Sequence, residues 1–160
     1  MKLIPEVIAL REAVEKGRRI TAQRVFATVA RHLFAQGKAT KDNNDACRYR
    51  WRGQACAVGC LIPDSLYRIQ MEGAAVNSLL GGDDYVFIFR GKARSGREAF
   101  PGLKSLWPHE QLLERLQSVH DRNDAAWSST DGMRKALREV GEHFGLKTDF
   151  LDKLAFADGR

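Results

Sequence analysis

Between Cys47 and Arg52 the chain alternates a cysteine or aromatic residue with arginine, Cys-Arg-Tyr-Arg-Trp-Arg, and this run constrains the fold more than any other. Side chains of an extended strand point to opposite faces with period two. Cys47, Tyr49 and Trp51 therefore share one face, and Arg48, Arg50 and Arg52 the other. Gly53-Gln54 reads as the turn of a small hairpin whose return strand runs over residues 55–62. That return strand is almost wholly apolar, so it needs cover on both faces, which helices would supply. Pro63 suits a first helical turn, where its missing N–H is not needed, and predicts a short helix over 63–70.

The flanking segments have helical periodicity. Val7, Leu10 and Val14 mark one face of a helix over 3–16, punctuated by Pro5 and Gly17. Thr21 is the expected cap of a second helix over 22–36, with a stripe of Val25, Val29 and Leu33 and closure at Gly37. Pro108 opens a helix through Arg122, and Thr130 or Asp131 caps a last long helix carrying Met133, Leu137, Val140 and Phe144. Trp127 falls in the connection between these two, and Thr148 or Asp149 caps a final short helix through Leu154. Residues 73–80 form one or two helical turns, and 85–89, β-branched and aromatic, a strand that joins the hairpin. Residues 91–101, with Lys92, Arg94 and Arg97 among glycines and serine, read as a mobile basic loop.

These elements predict an α+β, mainly helical single domain over 1–160 with a small two- or three-stranded antiparallel sheet. Its parts are N-terminal helices in 1–40, the hairpin, short helix and extra strand in 47–90, and C-terminal helices in 108–154. A chain of 160 residues, 44% hydrophobic, suffices for one core but not comfortably for two. No stretch approaches the roughly 20 apolar residues of a membrane helix, and the N-terminus, with Pro5, Glu6 and Glu12, lacks a signal-peptide pattern. No membrane partner is expected.

Three cysteines without an export pattern argue for reduced thiols. Cys47, Cys56 and Cys60 with one histidine would make a Cys3His zinc set. On a continuous strand, however, Cys56 and Cys60 lie about 13 Å apart, too far unless the strand breaks at Gly59. Buried thiols acting as small hydrophobes are the expectation, with no metal and no cofactor. Cys56, His120 and Asp121 are weak candidates for a thiol-based catalytic set. Neighbouring helical residues point about 100° apart, so Asp121 is not expected to orient the His120 ring. Glu110 and Glu114 share a helix face without forming a two-metal pattern, and residues 91–97 lack the order of a phosphate loop.

The arginine ladder carries more chemistry. Guanidiniums about 7 Å apart on one strand face match a row of phosphates or carboxylates. The net charge of +6 favours acidic partners. The expected ligand-binding residues are Arg48, Arg50, Arg52, Lys92, Arg94 and Arg97. Tyr49 and Trp51 fall on the opposite face, which ranks nucleic acid below other anions. An edge strand charged against aggregation is the competing structural explanation.

The run Cys56-Ala57-Val58-Gly59-Cys60-Leu61-Ile62-Pro63-Asp64, preceded by Cys47-Arg48-Tyr49-Arg50 and followed by Tyr67 and Met71-Glu72-Gly73, resembles a family of small uncharacterised bacteriophage and prophage proteins. Leu116-Gln117-Ser118-Val119-His120-Asp121 with Trp127 is similar to that family's second motif, whereas residues 85–101 have no counterpart in it. The resemblance implies a phage accessory protein of the bacterial cytoplasm and carries no activity. Together with the basic residues it points to a counter-defence protein that, without catalysis, sequesters an anionic nucleotide-type ligand or blocks a host factor. A nucleotide or nucleic-acid hydrolase with a Cys/His site and a direct inhibitor of a host defence complex are the alternatives; self-association into a homo-oligomer is left open.

Overall fold

Thr21 accepts the N–H of Arg24 on its hydroxyl at 3.2 Å, so one of the amides left free at a helix start is satisfied locally. In this computed structural model, which describes residues 3–122 and 124–160, that cap opens α2 (Ala22–Gln36). Gly37 closes it in the left-handed conformation that glycine adopts without steric cost. Val25, Phe26, Val29, Ala30 and Leu33 of α2 are fully buried. The helix packs against α1 (Pro5–Glu15), α5 (Glu110–Arg122) and α7 (Thr130–His143), and so forms the centre of the helical body. Ser129 rather than Thr130 or Asp131 caps α7, accepting from Gly132 N at 3.0 Å. Trp127 lies in a short helix, α6 (Asp124–Ser128), and residues 149–153 make a 3-10 turn. The fold is α+β and mainly helical, with two small antiparallel strand pairs.

The hairpin differs from its expected form. β1 (Arg50–Trp51) pairs with β2 (Gln54–Ala55), and the turn is Arg52-Gly53, one residue earlier than expected. Both turn residues have positive φ, 45° and 76°, the geometry that matches strand twist across a two-residue loop. The return strand stops at Ala55 instead of running to Ile62. From Cys56 the chain coils into a 3-10 turn (Gly59–Leu61), with Cys60 N bonded to Cys56 O and Leu61 N to Val58 O. The predicted helix over 63–70 is likewise a turn closed on Pro63 O, followed by a 3-10 turn (Ile69–Met71).

The physical reason lies in the backbone. Residues Ala55 to Ile62 are completely buried, so each peptide group needs a partner away from water. The coil's own turns and Tyr49 O supply some of these partners, and three helices supply others with polar side chains. Arg11 of α1 donates to Cys60 O at 2.7 Å. His32 of α2 meets Ala55 O at 2.8 Å, and Gln36 accepts Ala55 N at 3.0 Å. Gln117 of α5 accepts Val58 N at 3.2 Å. Side chains from the covering layers thus replace the ladder of a neighbouring strand, which explains polar groups on otherwise apolar helix faces.

After α3 (Val76–Leu80), the strand expected to join the hairpin forms a second one. β3 (Phe87–Phe89) pairs with β4 (Lys92–Arg94) across Arg90-Gly91, whose φ values of 49° and 75° make another tight turn. Local closure supplies this partner, leaving two separate pairs rather than a three-stranded sheet. The supposed mobile loop is β4 followed by α4 (Gly96–Ala99). Ser95 and Glu98 form a reciprocal capping box there.

Candidate functional site

Because β1 is only two residues long, the three arginines do not form a row. Arg48 pairs with Asp42, Nη2 lying 2.6 Å and Nε 2.7 Å from Oδ2. Arg50 bonds Asp64 Oδ1 at 2.6 Å and Ile62 O, and stacks 4.6 Å from the Tyr67 ring. Arg52, exposed at the turn, lies over Trp51 at 5.6 Å. Arg48 and Arg50 are thus held by carboxylates of the chain itself.

A cation unmarked in the sequence ladder joins them. Arg11, only 7% exposed, reaches the same Asp64 oxygen at 3.1 Å. Arg11, Arg50, Trp51, Arg52, Gln54 and Asp64 border a cleft of about 390 Å³. Three guanidiniums and one carboxylate line it; Arg11 and Arg50 meet that carboxylate, which is largely exposed. Burial, and then repulsion from Arg50, lowers the Arg11 pKa from its ordinary value. For Asp64, burial opposes ionisation, but Arg50 and Arg11 outweigh it and hold the carboxyl below its usual range. Arg50 Nε is buried and has no hydrogen-bond partner among the described residues. Arg11 was detectable in the sequence: it sits four residues after Val7, a cation on the inward stripe of α1.

Cys47, His120 and Asp121 form a second constellation, with ligand-capable atoms within 4.8 Å of one another at a cleft of about 320 Å³. Contrary to expectation, Asp121 does orient its neighbour: His120 Nδ1 lies 2.7 Å from Asp121 Oδ1. The separation at Cβ is overcome by the carboxylate reaching back, where Gln117 Nε2 also donates to it at 2.6 Å. Thr40 N donates to His120 Nε2 at 2.9 Å. A backbone amide can only donate, so Nε2 carries the lone pair and Nδ1 the proton, given to Asp121. With both ring nitrogens committed, His120 is neither a base for a thiol nor a metal ligand without breaking one of these bonds.

The thiols agree. Burial, then the Asp121 charge, pushes the Cys47 pKa up to about 11. Burial raises Cys56 well above its ordinary value and Cys60 to about 12. The chain does break at Gly59, yet Cys56 Sγ accepts Gly59 N at 3.2 Å and Cys60 Sγ donates to Ala57 O at 3.3 Å. Each sulfur is committed locally, and neither belongs to the metal-capable grouping among the described residues.

Of the remaining basic candidates, Lys92 and Arg94 are exposed on β4. Arg97 instead fastens α4 to its surroundings through Leu80 O at 2.9 Å, Glu110 at 3.7 Å and the Trp107 ring at 5.3 Å. Glu72, which the pattern did not single out chemically, accepts Tyr49 N and Arg50 N at 2.9 Å each and the Tyr67 hydroxyl at 2.7 Å.

Comparisons of the chain with protein-family models, with curated proteins and with solved structures found no match. Among the described residues no helix is long and apolar enough to cross a membrane.

Proposed function

We propose that this chain is a binding protein that holds an anionic, nucleotide-type ligand in the cleft between α1 and the first hairpin, with Arg11, Arg50 and Arg52 as its cationic wall. The observation that carries this reading is that Arg11 and Arg50 share a single oxygen of Asp64. That arrangement leaves an excess of positive charge in a partly desolvated cleft: Arg11 and Arg50, whose end nitrogens already bond Asp64 and backbone carbonyls, supply field, and the exposed Arg52 guanidinium supplies a fork that can bind phosphate two-pronged. Trp51 beside Arg52 offers a ring for the rest of such a ligand. The hydrolase alternative is weakened by the double commitment of the His120 ring and by the buried thiols. The support for a phage setting is the motif resemblance alone; in that setting, sequestering such a ligand in the host cytoplasm would blunt a defence signal.

Titration calorimetry with inorganic pyrophosphate and adenosine diphosphate at low ionic strength tests this. Arg52→Ala removes an exposed cation and should weaken binding about fivefold, while Asp64→Asn removes the competing charge and should tighten it by a similar factor. Equal affinities across the three proteins, or no binding by the wild type, would overturn the assignment.

A further inference from the structure

The second hairpin exposes what a solitary domain would bury. Ile88 is 73% exposed, Tyr85 56% and Val86 50%, and β4 is exposed throughout. Arg90, Lys92 and Arg94 project from this hairpin, and none has an ion-pair partner among the described residues. The element is nonetheless firmly mounted. Phe87 and Phe89 pack edge-on against Phe100, at 4.9 and 6.1 Å, and the Ser95–Glu98 capping box fixes the chain just after β4.

Register decides what the free edge offers. Phe89 faces Lys92 across a two-residue turn, Ile88 faces Ala93, and Phe87 faces Arg94. In such a hairpin the pair flanking the turn exchanges hydrogen bonds, and alternate pairs do so thereafter. Ala93 therefore turns its N–H and C=O away from β3, between two cations. Residues opposite one another share a face, so Ile88 and Ala93 lie together on the side away from Phe87 and Phe89.

We infer that the β4 edge is a docking site for an extended acidic segment of another protein, which adds as a third strand. Its backbone meets Ala93, its carboxylates flank Lys92 and Arg94, and its apolar residues extend the Ile88–Ala93 face. Charge selects this occupant over a second copy of the chain. Antiparallel pairing of two β4 edges about Ala93 would set Lys92 against Arg94 twice, a like-charge arrangement that destabilises.

The probe is a short fluorescein-labelled peptide alternating Glu and Val, followed by anisotropy. It should bind the wild-type protein, with affinity falling as salt rises, and a Lys-Val peptide should not bind. The double variant K92E/R94E should lose at least about tenfold in affinity. Ala93→Pro removes the outward N–H, at an edge position where proline is tolerated, and should cost a comparable factor with an unchanged melting midpoint. The Glu-Val peptide N-methylated on alternate amides should likewise fail with the wild-type protein, which tests strand addition without any variant. Binding of the Lys-Val peptide, full affinity of the N-methylated peptide, or tighter binding of oligo-dT than of the Glu-Val peptide would overturn the proposal.

Discussion

The backbone N–H of Thr40 donates to Nε2 of His120 at 2.9 Å, joining the segment after α2 to the last turn of α5. Thr40 is completely buried, so His120→Ala would strand its amide and remove the ring that meets Trp127 edge-on at 5.7 Å. We expect a loss of about 3 kcal/mol in urea unfolding. Long-range proton–nitrogen NMR should show Nδ1 protonated and Nε2 bare in the wild type, and a cobalt titration should give no thiolate charge-transfer band. A proton found on Nε2 would reopen both the metal and the base roles.

Glu72 holds the first hairpin from outside its ladder, one carboxylate taking the amides of Tyr49 and Arg50 together with the Tyr67 hydroxyl. Glu72→Gln keeps one acceptor oxygen and should cost about 1–2 kcal/mol, while Glu72→Ala leaves all three donors unpaired and should cost about 3 kcal/mol. Chemical denaturation of the two variants gives the ordering. If Gln were as damaging as Ala, the carboxylate would act through something other than acceptor count.

The three thiols should separate by reactivity. Cys56 and Cys60 are 0% exposed, whereas Cys47 is half-buried at a cleft. Ellman's reagent should modify a single thiol in the native protein, with a rate still climbing at pH 10 because the Cys47 pKa lies at about 11. Full modification should require denaturant.

Gly59 is held by space rather than by dihedral angle. A Cβ there would overlap the Tyr49 carbonyl, which is backbone and cannot swing aside. Gly59→Ala should therefore cost more than about 3 kcal/mol or prevent folding, whereas Gly91→Ala in the second hairpin, with open space around it and only its positive φ to strain, should cost about 1 kcal/mol. Comparing thermal melts of the two proteins distinguishes the causes.

The same contact shows what the sequence could and could not reveal. Thr21, Gly37 and the stripe Val25, Val29, Leu33 act within a few residues of one another, so the bounds of α2 are readable from local chemistry. Residues 55–62 are uniformly apolar, and hydropathy alone does not distinguish a buried strand from a buried coil. The choice was made by Arg11, His32, Gln36 and Gln117, between 19 and 59 residues away along the chain: His32 and Gln36 take up Ala55 at the end of β2, and Arg11 and Gln117 bond the coil's Cys60 O and Val58 N. The candidate cleft divides similarly. Arg50 and Arg52 stand out in the alternation, but the partnership of Arg11 with Asp64 spans 53 residues and appears only once the coil turns at Gly59.

The end of β2 also makes stability depend on pH, through His32. Its Nε2–H donates to Ala55 O, and burial, with His120 and Arg11 nearby as unfavourable company for a cation, lowers its pKa to about 4 from 6.5. Above pH 6.5 the ring is neutral in both folded and unfolded chains, and its contribution is fully present. As pH falls through 6.5 the unfolded chain takes up a proton that the folded one refuses, so stability declines until about pH 4, by up to about 3 kcal/mol. Asp42 and Asp64, whose carboxyls are held below their usual range, add their own losses only at lower pH. Urea midpoints measured from pH 7 to 4.5 should therefore slope downward in the wild type. In His32→Gln, whose amide can still donate to Ala55 O, the profile should be flatter over that window while the pH 7 value falls. An unchanged slope in the variant would assign the pH dependence to other groups and leave His32 as a packing residue alone.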